Sequence, residues 1–403
     1  LEGDKTKALA NEELAAPYIA RTGMMATAAI GHLGMALARH AAGKTAEAAN
    51  LLDQALTLCH RMGTWQVAFA CYLAQAELSL DAGDDDAVLQ ALHKAMAIGK
   101  ARGYVNTWFW RPDTITRLCC KALEADIAVA YVQDLIRRRN LAPETPPLEI
   151  PNWPWPVKIY TLGRFALVRD GRGQDFSDKN REKPVALLKT IIALGGRNVS
   201  ENQIADLLWP EADGDASHGA LKTTLHRLRR MLGCHEAIQK NSGSLTIDAR
   251  YCWVDAWVFE RMLSKADMHW QSAASEKDRQ KAAAFAHKAL GLYKGRLFQS
   301  EDDKAIPLRD HLHHRFLQGL EKLAAHLRDR EQWEGAIALY EAGIKIDELA
   351  EPFYRGLMTC NHQLGRRDKA LAAYSRCKRL LAEHLELQPS AETEFLKSSL
   401  LQQ

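Results

Sequence analysis

The sequence predicts a mainly α-helical chain in which two blocks of helical repeats flank one short mixed stretch of helix and strand. Three observations carry this. Across the first 140 residues, Gly43 and Gly83, Gly63 and Gly103, and Leu58 and Ile98 recur at an interval of 40. Near the other end, Leu323 and Leu357, Ala336 and Ala370, and Tyr340 and Tyr374 recur at an interval of 34. Between the blocks, residues 217–232 read SHGALKTTLHRLRRML, a helix with one apolar stripe and a basic remainder.

Residues 1–141 are rich in Ala, Leu, Glu and Lys, with glycines at the stops. A unit of about 40 residues fits a pair of helices, the building block of an α-solenoid, which buries its inner face only by stacking on its neighbours. Further repeats are therefore expected before Leu1, and the reading takes the chain as the C-terminal part of something longer. Trp108, Phe109 and Trp110 near a repeat junction fit packing between repeats. Arg137, Arg138 and Arg139 end a helix, where cations complement the dipole.

Residues 142–156 hold six of the thirteen prolines and read as a stiff, extended linker. Trp153 and Trp155 are too apolar for a free linker and are expected to pack on a neighbouring domain. The linker should thus hold a defined orientation between the blocks it joins.

Residues 157–254 form the mixed stretch. Residues 157–160 and 165–168 have strand patterns. Pro184 suits a first helical position, and a helix over 184–194 stops at Gly195-Gly196. Ser200 to Gln203 matches a capping box for a helix ending at Trp209-Pro210. Then comes the basic helix, and after it residues 237–240 and 244–247 flank Asn241-Ser242-Gly243 as a β-hairpin. Three helices and a hairpin in this order make a winged helix-turn-helix with a small β-sheet and a β-hairpin wing, whose third helix enters a major groove.

From residue 255 the chain is helical again, with Asp255 as a cap and periodic stretches at 281–293, 309–328, 334–345, 352–363 and 369–384. The 34-residue interval is the tetratricopeptide period, so 255–403 is a second tetratricopeptide-like domain.

Several motifs are familiar in this order. Val157-Lys158-Ile159 with Leu162-Gly163, Arg181-Glu182-Lys183-Pro184, Val199-Ser200 with Leu207-Leu208-Trp209, and Ala220-Leu221-Lys222 with 225–232 resemble the winged domain of the antibiotic regulatory protein (SARP) family of bacterial transcriptional activators. Ala289-Leu290 with 293–297, Leu364-Gly365-Arg366-Arg367 with Ala370-Leu371, and Leu387-Gln388-Pro389-Ser390 resemble the bacterial transcriptional activation domain that follows it there. A Gly is usual in that family where this chain has Glu386, which puts that turn in doubt. Residues 1–141 resemble, more loosely, the tetratricopeptide-like region of large maltose-activator-type regulators, where it senses or transmits a signal; a plain scaffold is an equal reading. The resemblance implies promoter binding at direct-repeat half-sites and contact with RNA polymerase; the small contact area of one winged domain suggests a homodimer on such half-sites, although the sequence shows no dimer seam.

Composition allows this and limits it. The formal charge of +3 on 403 residues makes the chain no polycation, so any nucleic-acid affinity must be local. Over 157–262 there are sixteen Lys/Arg and thirteen Asp/Glu, but the acids gather at 206–215 and 170–178 and the basic helix has none. Leu221, Leu225, Leu228 and Leu232 mark its inner side. Thr223, Thr224 and Arg227 are assigned to base edges, since Arg pairs bidentately with guanine and a Thr methyl packs on thymine. Lys222, His226, Arg229, Arg230, wing Lys240, and Arg181 and Lys183 before the first helix are assigned to phosphates. For Arg229 and Arg230, complementing the helix dipole or bridging Glu236 is the competing role.

Eight scattered cysteines without a Cys-x-x-Cys pair fit reduced thiols and a bacterial cytoplasm, and no apolar run approaches membrane length. His311, His313 and His314 do not share one helix face, and no phosphate-binding loop or hydrolase motif is present, so no cofactor, metal or catalytic residue is assigned. An ATPase module would have to lie before Leu1. The rival reading is a protein-interaction scaffold whose winged domain does not bind DNA. The effector, if there is one, has no signature here.

Overall fold

A computed structural model describes residues 5–21, 23–174, 181–272, 275–299 and 305–402. Asp175 and Asp178, counted above among the clustered acids, lie outside the described residues. Seventeen α-helices and seven strands are found among the described ones. They divide into two compact units, 1–154 and 155–403, so the division falls inside the Pro-rich stretch, between Pro154 and Trp155.

The first unit is a run of antiparallel helices: α1 (Lys5–Arg21), α2 (Met25–Ala41), α3 (Thr45–Met62), α4 (Trp65–Ala82), α5 (Asp85–Arg102), α6 (Pro112–Glu124) and α7 (Val129–Arg138). Gly43, Gly63, Gly83 and Gly103 follow the ends of α2 to α5, all with φ between 67 and 81°. A side chain at any of them would meet nothing within 4 Å, so their left-handed backbone, not crowding, is what selects glycine. The 40-residue interval extends into the core: Leu52 and Leu92, Ala55 and Ala95, and Leu56 and Met96 are all buried. In the Pro-rich stretch Leu148, Ile150 and Trp153 are buried, and Gln133 donates to the Asn152 carbonyl at 2.7 Å. Arg139 lies over the Trp110 ring at 4.6 Å, which ties the arginine run to the aromatic cluster.

The second unit begins with β1 (Val157–Tyr160), β2 (Ala166–Arg169) and β3 (Arg172–Gly173). Then come α8 (Glu182–Ala193), β4 (Val199–Ser200), α9 (Glu201–Leu208) and α10 (Gly214–Leu232). A 3-10 turn over His235–Ala237 leads to β5 (Ile238–Asn241), β6 (Ser244–Ile247) and β7 (Cys252–Val254). One sheet has the order β3-β2-β1-β7, with β1 antiparallel to β2 and parallel to β7; the other has the order β4-β6-β5. The β5–β6 hairpin pairs Asn241 with Ser244, leaving a two-residue turn. Ser242 and Gly243 have φ of 47 and 75°, the primed turn that matches strand twist.

Two local expectations change. Ser200 is at the N-cap of α9 but makes no side-chain capping bond, because it belongs to the wing sheet and the Glu201 amide donates instead to Gly243 at 2.9 Å. The basic helix starts earlier than its apolar stripe suggests: the Asp213 carboxylate accepts from the Ala216 amide at 2.9 Å and caps it.

The remaining helices are α11 (Asp255–Gln271), α12 (Glu276–Leu292), α13 (Ile306–Asp329), α14 (Trp333–Ile346), α15 (Glu351–Gln363), α16 (Arg367–Leu385) and α17 (Ala391–Gln402). The six residues related by the 34-residue interval are all buried. Gly356 lets α15 close on α14, for a Cβ there would come within 2.2 Å of the Tyr340 ring. Glu386 ends α16 with φ 55° and ψ 28°, the left-handed cap that favours glycine. Among the described residues no helix is long and apolar enough to cross a membrane.

Asp255 does more than cap a helix. It is 2% exposed, and its carboxylate accepts from the amide and hydroxyl of Thr161, the amide of Leu162 and the amide of Ala256, at 2.6–3.0 Å. Burial pushes its pKa up, while the Thr161, Leu162 and Ala256 donors pull it down. The end of β1 is thereby bound to the start of α11.

Asp255→Ala leaves several buried donors without an acceptor and should cost about 3–5 kcal/mol, with Asp255→Asn costing less. Urea unfolding checks this, and equal losses for both variants would contradict it. Glu386→Gly should stabilise by about 0.5–1 kcal/mol through relief of the left-handed backbone, read as a raised thermal midpoint.

Candidate nucleic-acid interface

The basic helix α10 is held by one side. Leu221, Leu225, Leu228 and Leu232 are buried, and α10 packs on α8 and α9. Each buried leucine contributes about 2 kcal/mol. That fixes the rotation of the helix, and with it the residues turned outward: Lys222, Thr223, His226, Arg227 and Arg230 are all exposed. From Ser217 onward the helix has no Asp or Glu; Asp213 caps it, and Asp215 sits in its first turn, on the same face as Lys222 but two turns away. Thr223 donates its hydroxyl to the Gly219 carbonyl at 3.1 Å, which orients its side chain.

Thr224 does not belong to the base-edge set. It is 6% exposed and shares the packed arc with Leu221, Leu225 and Leu228. Its position, one residue past Thr223, rotates it by about 100° into the core. The outward base-edge candidates are therefore Thr223 and Arg227.

Arg229 is also placed differently. It is half-buried and donates from Nε and Nη2 to the Ile238 carbonyl, at 3.2 and 2.7 Å. This fork bonds the helix to the first wing strand, so neither the phosphate role nor the Glu236 bridge describes it. Lys240 is tied down too. Its ammonium lies 2.6 Å from Glu201 Oε1 and 2.9 Å from Oε2, and Glu201 is 8% exposed. An ion pair with a buried carboxylate reduces the charge Lys240 offers to a phosphate. Lys183 places its ammonium 5.9 Å from the Trp209 ring, and Arg181 forms the N-cap of α8.

One residue escaped sequence reasoning. Arg169, at the end of β2, lines a common cavity with Arg181, Arg227 and Arg230. No sequence pattern brings a strand end beside a helix far along the chain; only the fold does.

The histidine run is dispersed. His311 pairs with Glu260 at 2.7 Å, His313 with Asp347 at 2.7 Å and with the Tyr293 hydroxyl at 3.1 Å, and His314 with Gln318 at 2.7 Å. The His313 bond holds the Asp347 carboxyl below the usual carboxylate range. In the first unit, ligand atoms of His40, Glu77 and Asp81 lie within 4.8 Å of one another. Guanidiniums already occupy that space, Arg111 against Glu77 and Arg117 against Asp81.

Comparison with known proteins gives this geometry a setting. Residues 254–401 match the family described as bacterial transcriptional activator domain. The chain is 26% identical over 238 residues to the regulatory protein AfsR of Streptomyces griseus, covering 58% of this chain and 24% of that protein. It is 25% identical over 247 residues to AfsR of Streptomyces coelicolor, again covering 24% of that protein. The chain thus spans about a quarter of the length of these curated relatives. Among solved structures, Mycobacterium tuberculosis EmbR in complex with a low-affinity phosphopeptide is 20% identical, with TM-score 0.48 over 61% of this chain and 65% of that one. The tetratricopeptide domain of P58(IPK) covers 99% of this chain at 11% identity and TM-score 0.25. Residues 254–401 are therefore similar to a bacterial transcriptional activator domain, in a chain that resembles the SARP-type regulators.

Proposed function

We propose that this chain is the DNA-reading part of a transcriptional regulator, with α10 in the major groove of promoter DNA. The observation that carries this is the outward arc of α10 from Lys222 to Arg230: cations and polar groups, with no acid in these turns, fixed opposite a buried leucine row. Phosphate attraction falls off within about 8–10 Å at physiological salt, so this local display matters more than the nearly neutral chain.

In this reading Thr223 and Arg227 meet base edges. Lys222, His226 and Arg230 face the backbone, and Arg229 holds the wing against the helix. The relatives and the activator domain at 254–401 favour activation, with RNA polymerase as the partner of the helical repeats. One winged domain offers a small contact area, so two copies on direct-repeat half-sites would supply affinity. The outward arc of α10 weighs against the scaffold reading, because a winged domain that meets protein has no need of a helix whose turns from Ser217 onward are basic and without acids.

Selection from fragmented genomic DNA of the producing organism tests this, with wild type, Arg227→Ala and Lys240→Ala side by side at moderate salt. Wild type should enrich a repeated half-site. Arg227→Ala should lose about 1–3 kcal/mol of specific binding and relax one base position, whereas Lys240→Ala, which frees the wing from Glu201, should keep the motif and weaken binding evenly across sequences. No enrichment by any of the three would favour the scaffold.

A further inference from the structure

The first unit sorts its charges by edge. At one edge the end of α2 meets the start of α3, and the end of α4 meets the start of α5. Cations there are matched by acids: Arg39 and Lys44 reach Glu47 at 2.9 and 3.7 Å, Arg117 reaches Asp81 at 2.7 Å, and Lys121 reaches Asp85 at 3.2 Å. The opposite edge carries the ends of α3 and α5 and, through the loop after α5, the end of α7. Arg102 lies over the Trp65 ring at 5.6 Å, the His60 ring centre is 6.2 Å from that of Trp65, and Arg139 lies over the Trp110 ring at 4.6 Å. From Gln54 to Ala76 and from Ala87 to Pro112 the sequence has no Asp or Glu. Arg61, Lys100, Arg102 and Arg137 are exposed, and among the described residues none of them meets a carboxylate. Arg138 reaches only Asp134 of its own helix, at 3.5 Å.

Helix ends do not account for this excess. The C-terminal ends of α3, α5 and α7 each carry about half a negative charge, too little for Arg61, Lys100, Arg102 and the run 137–139. The start of α4 lies at the same edge, has no acid in its first turn, and adds a partial positive charge. Tryptophans give the charge an apolar ground, with Trp65 36% and Trp108 37% exposed. Guanidinium forks suit carboxylates and phosphates alike. The ring faces of Trp65 and Trp110 turned to Arg102 and Arg139 are, however, not open to stacked bases, as a single-stranded nucleic acid would require. Arginine beside half-exposed tryptophan is instead the composition of a protein-binding hot spot.

We propose that this edge docks an acidic polypeptide segment of a partner protein, with carboxylates on Arg61, Arg102 and Arg137 and apolar side chains on Trp65 and Trp108. The proposal is independent of α10 and of DNA.

The test uses the full 403-residue chain as wild type, Arg61→Glu, Arg137→Glu, Trp108→Ala and, at the other edge, Lys44→Glu. Fluorescence anisotropy follows three labelled probes: a peptide of repeated Glu-Glu-Leu-Phe units, the same peptide with Gln for Glu, and a thymidine oligonucleotide. Circular dichroism confirms that each variant folds, and two exposed arginines from different corners keep the test alive if one variant does not. Wild type should bind the acidic peptide and not its Gln counterpart. Arg61→Glu and Arg137→Glu should each weaken that binding about fivefold, and Lys44→Glu should leave it unchanged. Trp108→Ala should weaken it too, and no change there would overturn the tryptophan contact. Acidic-peptide binding absent from wild type, or equal to wild type in both arginine variants, would overturn the proposal. So would an equal loss in Lys44→Glu, which would show an effect of net charge alone. An oligonucleotide bound more tightly than the peptide, and lost in the same variants, would give the edge to nucleic acid instead.

Discussion

A single buried carboxylate joins the winged half of the second unit to its helical half. Asp255 accepts from backbone and side chain at the end of β1 and from the first turn of α11. Its neighbours reinforce the junction. The Thr161 carbonyl accepts from the Phe298 amide at 2.7 Å, Leu162 bridges to Leu297, and the Phe165 and Phe298 rings meet edge to face at 5.9 Å. Gly196, at the end of α8, leaves space for Trp257 of α11. A flexible tether between the winged half and the helical half would let each move alone. Here the two are locked through a polar cluster that is costly to leave half satisfied.

The same economy governs the wing. A hairpin of four-residue strands is marginal alone. It is held from two sides: Arg229 donates to the Ile238 carbonyl, and Lys240 pairs with Glu201 at the start of α9. Two cations that would suit phosphates are used instead to orient the surface that carries the others. The cations left outward on α10 are thereby few, which in the proposed DNA-binding reading favours specificity over bulk affinity.

Much of this was legible in the sequence. The glycine intervals marked real helix ends, because a left-handed cap accepts few other residues, and the leucine spacing marked the buried side of α10. The hairpin turn followed from Ser242-Gly243. What was not legible depended on contacts distant in sequence. Thr224 and Arg229 looked equivalent to Thr223 and Arg230 by composition, yet a turn of about 100° per residue about the helix and one wing carbonyl separate them. Lys240 looked free until Glu201, 39 residues earlier, was found beside it. Asp255 looked like a local cap because its partners lie 93 and 94 residues upstream. Helix α17 lies in the stretch read as helical but was not marked as a separate element, lacking a clear apolar stripe, and Glu386 shows that a left-handed turn can persist without glycine.

The most direct test of the central claim is arginine accessibility with and without duplex DNA. It uses a dicarbonyl reagent and mass spectrometry of the intact chain's peptides. If the outward arc of α10 meets DNA, a bound duplex should protect Arg227 and Arg230, while Arg229, held by the wing carbonyl, should react slowly in both states. Equal modification of Arg227 and Arg230 with and without duplex would show that this face of the helix is not the one that reads DNA.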